Sequence, residues 1–182
     1  MTALPAGLTT GTYAIDASHS TASFSVRHAG IAKVRGSIAI TSGTITVGDD
    51  LESSAVTAEL DAASVNTGDE ARDGHLKSAD FWHAEEKPVW TFASKSIVVD
   101  GDDYVINGAL TINGVTQDVA LPTEFAGVAT DPFGNPRAGF ESQIEISRKD
   151  YGLTWNAALE TGGVLVGDKV KITLDVSAIK QG

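Results

Sequence analysis

The chain contains no cysteine. Disulfides, thiolate metal sites and cysteine nucleophiles are therefore excluded. No apolar run approaches the roughly 20 residues that a membrane-spanning helix needs. The first residues, Met1-Thr2-Ala3-Leu4-Pro5-Ala6-Gly7, have no basic stretch followed by an apolar one. They do not read as a secretory signal, so a cytoplasmic location is the expectation. Positive charge is scarce: 13 Lys and Arg stand against 24 Asp and Glu, for a net charge of −11 and a pI of about 4.6. That balance weighs against nucleic acid and against anionic membrane surfaces as default partners. A local basic cluster that grips an anionic head group stays open. Also missing are a P-loop, a dinucleotide glycine motif, His-Glu-x-x-His and the Gly-x-Ser-x-Gly elbow.

What is present is alternation. The 182 residues are 42% hydrophobic, an ordinary globular composition and enough for one domain. We read residues 1–10 as a flexible tail and 11–182 as one domain. Tyr13 and Ile15 open the first strand. Ala22, Phe24, Val26 and His28 then share a face against Ser23, Ser25 and Arg27. Val34, Gly36, Ile38 and Ile40 follow, and Gly36 in mid-strand suggests a bend or a close approach. Ser42-Gly43 reads as a break. Val56, Ala58 and Leu60 alternate next, and Trp90 and Phe92 after them. Asp100-Gly101-Asp102-Asp103 and Asn113-Gly114 are hairpin turns around the strand of Tyr104, Ile106, Gly108, Leu110 and Ile112. Residues 126–138 read as a longer loop because of Pro132, Gly134 and Pro136. Phe140, Ser142, Ile144 and Ile146 form one further strand. Val170, Ile172, Leu174 and Val176 form the last, and Trp155–Gly163 reads as a small, polar, mobile connection.

About eight strands with short turns and no βαβ rhythm make an all-β, up-and-down antiparallel barrel. Ala22, Gly36, Ala58, Gly108 and Ser142 are small inward residues. They favour a hollow interior over one packed by bulkier neighbours.

One stretch breaks the pattern. Between Val65 and Ser94, Thr67 with Glu70 fits a capping box, and Asp69, Glu70 and Asp73 suit the first turns of a helix. The helix should stop near Lys77–Ser78, with a tight turn at Phe81 and Trp82. We read this insert as a helical lid on the barrel. Asp73, His75, Asp80 and His83 can be drawn as a metal site, but no compact ligand motif supports one. Arg72 either anchors the insert to a carboxylate or loop carbonyl or faces a polar head group. Lys33, Arg35, Arg148 and Lys149 either form a basic rim or are simply solvated.

Several of these stretches resemble the YceI-like family. They are Tyr13-x-Ile15-Asp16-x-x-His19-Ser20, Phe24-x-Val26-x-His28 and Gly36. They continue through Ser64-Val65-x-Thr67, Arg72-Asp73-x-His75-Leu76-x-Ser78-x-Asp80-Phe81 and Pro88-x-x-x-Phe92-x-Ser94. Gly108-x-Leu110-Thr111-Ile112-Asn113-Gly114-Val115-Thr116 and Arg148-x-Asp150-Tyr151-Gly152-Leu153 complete the set. The resemblance implies an eight-stranded antiparallel lipocalin-like barrel with a short helical insert. It implies non-catalytic binding of a polyisoprenoid or similar long-chain lipid, such as a prenyl pyrophosphate or isoprenoid quinone, for transport, storage or sequestration. Many relatives are periplasmic and carry a leader, which this sequence does not display.

Candidate ligand-binding residues are Phe24, Val26, Val34, Ile38, Val56, Leu60, Leu76 and Phe81 from the first half. Trp90, Phe92, Tyr104, Ile106, Leu110, Phe140, Ile144 and Ile172 come from the second. No catalytic residue, metal ligand or cofactor is assigned. The competing readings are an enzyme acting on an isoprenoid lipid through His75, Asp73 or Arg72, and a stress-related scaffold barrel without ligand. The sequence leaves the oligomeric state open, a dimer included.

Overall fold

The computed structural model describes residues 1–157, 159, 163 and 165–182. Its strands are β1 (Gly11–Ile15), β2 (Thr21–His28), β3 (Ala32–Val47), β4 (Ala55–Asn66), β5 (Val89–Asp100), β6 (Asp103–Ile112), β7 (Val115–Thr130), β8 (Pro136–Ser147) and β9 (Val166–Lys180). One α-helix, α1 (Glu70–Lys77), lies between β4 and β5. Every strand pairing is antiparallel. The neighbours run β3-β2-β9-β8-β7-β6-β5-β4, and β3 pairs with β4 to close the ring. β1 and β2 share one position in that ring. β3 pairs with β1 at Ile45 and with β2 at Ile38, and β9 likewise serves both. A short 3-10 turn at Ala17–His19 splits them. The barrel is therefore eight-stranded, as the alternation implies.

Three departures from the sequence reading have local causes. Ser42-Gly43 does not break β3. The register slips between Ile40 and Ser42, so Thr41 is an extra, bulged residue. One extra residue inverts the faces, and Ile45 and Val47 become inward where Ile38 and Ile40 were inward before it. A second bulge between Ser94 and Ser96 does the same for Ile97. The long loop at 126–138 shrinks to a five-residue connection, 131–135, between β7 and β8. The Asp131 carboxylate accepts from the Phe133 and Asn135 amides and from Arg137 Nε at 2.8 Å, which fixes a tight turn. The Asn135 amide is the largest of these effects, and together they hold the Asp131 carboxyl down at about 2. The mobile connection expected at Trp155–Gly163 lies partly outside the described residues.

Candidate functional site

Two buried apolar clusters lie at opposite ends of the barrel. One holds Ile38, Val65, Phe81, Trp82, Trp90, Ile112, Tyr151 and Leu153. The other holds Tyr13, Ile45, Val47, Ala138 and Ala178. Members of both form the walls of a cavity of about 220 Å³ between them. A single water needs roughly 10–15 Å³ of such space. The exposed wall is almost wholly hydrocarbon, so the cavity offers an apolar guest burial and almost no polar partner.

Small side chains account for part of this void, though not in one way. Ala22, Ala58 and Ser142 line it directly. Gly36 and Gly108 do not. A Cβ on Gly36 would meet Phe24 Cζ at 2.6 Å, and one on Gly108 would meet Phe92 Cζ at 2.6 Å. Each glycine seats an aromatic ring instead of opening the bore.

Twelve of the residues expected to face a ligand line this cavity. They are Phe24, Ile38, Val56, Leu60, Trp90 and Phe92, then Tyr104, Ile106, Leu110, Phe140, Ile144 and Ile172. Val26, Val34, Leu76 and Phe81 line a second hollow of about 150 Å³ at the helix end. Phe24, Arg148, Leu153 and Val170 belong to both hollows, which therefore adjoin across a shared wall; we call the second the vestibule. Its wall differs in chemistry: Arg27, His28, Arg72 and His75 join Trp155 there, and among the described residues no carboxylate lines it.

The insert builds the vestibule, but not through the expected capping box. The helix begins later. Asp69 is its N-cap and accepts the Arg72 amide at 3.1 Å. Gly68, at φ +84, makes the turn that displaces the start. Thr67 instead donates its amide and hydroxyl to Asp73 Oδ1 at 2.9 and 2.6 Å. Arg72 donates from Nε to the Thr67 hydroxyl at 2.8 Å and from Nη2 to the Thr67 carbonyl at 2.9 Å. It thus ties the helix to the end of β4 through a carbonyl and a hydroxyl rather than through a carboxylate. The helix stops at Ser78, as expected, where the serine hydroxyl donates to the His75 carbonyl at 2.6 Å.

α1 buries no residue of its own. The seal is the turn after it. Amides of Trp82 and Ala84 donate to the carbonyls of Leu76 and Lys77, folding the chain back. Phe81, Trp82 and Ala84 are thereby buried. Trp82 meets Trp90 edge to face at 5.0 Å and Phe24 at 5.6 Å. Such aromatic pairs contribute about 0.5–1.5 kcal/mol each beyond burial. The lid is thus a short polar helix carrying an aromatic stopper.

Arg148 is the buried cation of this end, with only 3% of its surface exposed. It donates to four carbonyls: Gly167, Leu153, Trp155 and Val166. Burial pushes its guanidinium down from the usual arginine range. It fastens the chain after β8 to the start of β9. Tyr151 is buried beside it in the cluster, and burial raises its phenol to about 12, too high to act as a base near neutrality. The four residues drawn as a metal site do not converge, although two of them pair with each other. His75 bonds Asp80 at 2.9 Å, His83 meets Glu86 at 3.4 Å, and Asp73 turns to Thr67. Among the described residues no group of three or more His, Asp or Glu side chains is arranged to hold a metal.

The far end is closed by residues that sequence reasoning missed. Leu4, Pro5 and Leu8 line the cavity, and Leu4 and Leu8 pack on the far cluster. Thr2 holds the segment in place. Its amide donates to Glu52 Oε2 at 2.9 Å and its hydroxyl to Oε1 at 2.5 Å, while its carbonyl accepts the Leu51 amide. These two Thr2 donors, hydroxyl first, hold the Glu52 carboxyl near 2. The only sequence signal was the spacing of two leucines in an otherwise small, turn-rich stretch.

A YceI-like domain signature matches residues 13–178. The chain belongs to the YceI-like family. It is 37% identical over 164 residues to the UPF0312 proteins SAS2572 and MW2606 of two Staphylococcus aureus strains, covering 87% of this chain and 92% of each relative. Among solved structures, the Campylobacter jejuni YCEI protein superposes with a TM-score of 0.68 at 28% identity, covering 86% of this chain and 90% of that one. BcnA of Burkholderia cenocepacia gives 0.77 at 20% identity over 90% of this chain and 98% of its own. A polyisoprenoid binding domain from Saccharophagus degradans gives 0.69 at 16% identity over 93% and 98%. The last two likenesses establish that this YceI-like barrel shares their fold.

Proposed function

We propose that this YceI-like protein binds one long-chain isoprenoid or similar lipid without chemically altering it, tail in the cavity and polar head in the vestibule. The single observation that carries the reading is the change of wall between two adjoining hollows that share Phe24, Arg148, Leu153 and Val170. The inner chamber is hydrocarbon-lined, and the vestibule beyond Phe24 carries Arg27, His28, Arg72 and His75. An amphiphile needs that sequence of environments. Each methylene taken from water contributes roughly 0.8 kcal/mol, so a five-carbon isoprene unit offers about 3–4 kcal/mol before ordering costs. A few units suffice for micromolar affinity. The description of a fold neighbour as a polyisoprenoid binding domain is consistent with this choice.

The cationic vestibule favours a phosphate or other anionic head over a neutral quinone, because guanidinium groups bind such oxygens strongly. The test is native mass spectrometry of the purified protein, followed by organic extraction and by titration with a prenyl phosphate and a prenyl quinone of equal chain length. One lipid bound per chain, with the phosphate the tighter, is expected. A barrel that carries nothing and takes up neither lipid would contradict the reading. Turnover of the lipid, lost in His75→Ala, would replace it with the enzyme reading.

A further inference from the structure

The chain's few cations are not evenly spread. On β2, β3 and β9, side by side in the barrel wall, the strand register places Arg27 opposite Lys33 and Ser25 between Arg35 and Lys171. Lys169 precedes Lys171 by two residues and shares its face. Arg27, Lys33, Arg35, Lys169 and Lys171 are all exposed, and among the described residues none of them is in a salt bridge. Among the described residues, Glu145 faces Lys171 from β8, Asp175 lies four residues on along the same face of β9, and Asp168 accepts from the Ser147 hydroxyl at 2.5 Å. This face is thus strongly cationic in a chain whose net charge is −11.

The same face ends in an apolar tip. The β2–β3 turn holds Ala29 at φ 53 and Gly30 at φ 74, and presents Ile31 with 87% of its surface exposed. The tip is anchored: the Ala29 amide donates to the Leu165 carbonyl at 2.7 Å and the Ile31 amide to His28 at 3.3 Å. An isoleucine fixed in water above a ring of cations has no packing purpose within the fold. Arg27 also lines the vestibule, so this face borders its mouth.

Carboxylates gather at both ends of the barrel: Asp49, Asp50, Glu52, Asp100, Asp102, Asp103 and Asp131 lie at the far end, and Asp69, Glu70, Asp73, Asp80, Glu85 and Glu86 in the insert at the helix end. On β9 alone, roughly 30 Å of strand separates Lys171 from Lys180 at the far end. That exceeds the Debye length of about 8 Å at physiological salt several times over. The far-end carboxylates therefore do not cancel the patch locally.

We propose that this face docks the protein on an anionic bilayer, with Ile31 entering the head-group layer and the five cations facing lipid phosphates. The vestibule then opens toward the membrane and exchanges its guest with it. The purpose of docking rests on the lipid-binding reading above; the cation cluster and the exposed tip do not.

Co-sedimentation with vesicles of phosphatidylcholine, with and without phosphatidylglycerol, tests this. Binding only to the anionic vesicles, released by high salt, is the expected result. Combining Lys33→Glu, Lys169→Glu and Lys171→Glu should weaken it at least about tenfold, since each basic residue near an anionic surface matters substantially. Ile31→Ser should weaken it about threefold. Both variants should melt as the wild type does and take up a dispersed prenyl lipid equally well. The proposal is overturned by no wild-type retention on anionic vesicles, equal retention on neutral ones, full retention of the triple variant, or tighter retention on heparin than on the vesicles. Vesicle binding without lipid uptake leaves the docking intact and removes the carrier reading; uptake without vesicle binding does the reverse.

Discussion

The two ends of the barrel close by different physics. At the helix end, a polar helix holds an aromatic stopper in place through Arg72, Asp73 and Thr67, and Arg27 and Arg72 line the vestibule beside it. At the far end, three small apolar side chains from an irregular segment cap the chamber, latched at Thr2 and ringed by acidic turns. The first end combines an apolar route inward with polar groups outside, which is what an amphiphile's head and tail require. The second offers only the hydrocarbon of Leu4, Pro5 and Leu8. On the proposed lipid-binding reading, the guest has a preferred direction: tail toward Leu4 and Leu8, head toward Arg27 and Arg72.

The largest effect should come from the waist between chamber and vestibule. Phe24→Asp places a carboxylate where the two hollows meet, beside Trp82. It should lower lipid affinity at least about a hundredfold and destabilise the fold by about 3 kcal/mol. Arg27→Ala, on the outward parity of the same strand, should change affinity by only about threefold for a phosphate-headed lipid and not at all for a quinone. Titration with a fluorescent prenyl lipid checks both. Equal losses would show that the faces of β2 are assigned the wrong way round.

Next comes the far cap. Leu4→Ala with Leu8→Ala should cost about 2 kcal/mol of stability, measured by urea unfolding. It should also shift preference toward longer chains, because the chamber floor recedes. Unchanged chain-length preference would mean that the tail never reaches this end.

Arg72→Ala should then lower stability by about 1–2 kcal/mol, since two hydrogen bonds to Thr67 are lost and Thr67's groups stay partly buried. Unaltered melting with lost lipid affinity would move Arg72 from anchor to head-group contact.

The smallest effect is acid loosening of the Thr2 latch. Glu52 is held near 2 from its ordinary 4.5, so the chain with the segment released binds more protons between those values. The latch therefore contributes fully above about pH 4.5 and is lost as pH falls toward about 2. Hydrogen exchange at the Leu51 amide, bonded to the Thr2 carbonyl, should accelerate through that window beyond the intrinsic trend. Glu52→Gln should remove the pH dependence.

Much of the barrel is written in period-two alternation, because one face of each strand is buried and the other wet. Phe24, Ile38, Phe92 and Ile172 are readable for that reason. Reading failed where one inserted residue inverted the faces: Ile45, Val47 and Ile97 follow bulges that carry no strong sequence mark. The helix was legible in extent but not in its cap, since Thr67-x-x-Glu70 satisfies the capping pattern and only the turn at Gly68 hands the role to Asp69. The family motif around Arg72 indicated the lid's position, yet not that Phe81 and Trp82, rather than α1, make the seal. Leu4 and Leu8 were hidden because their partners are far away in sequence and no periodicity links them. The cation face was legible only in part: Lys33 and Arg35 belong to one reading of a basic rim, but Arg148 of that rim is buried, and only strand register adds Arg27, Lys169 and Lys171.

The central claim, a hollow that holds a hydrocarbon tail, is tested most directly by filling it. Ala58 lines the chamber from β4, and Ala58→Phe occupies that space at a folding cost of about 1–3 kcal/mol. Native mass spectra of wild type and variant, each mixed with the same prenyl lipid, should give a one-to-one complex for the wild type and bare protein for the folded variant. Equal lipid occupancy in both would contradict the account, because the tail would then lie somewhere other than the chamber.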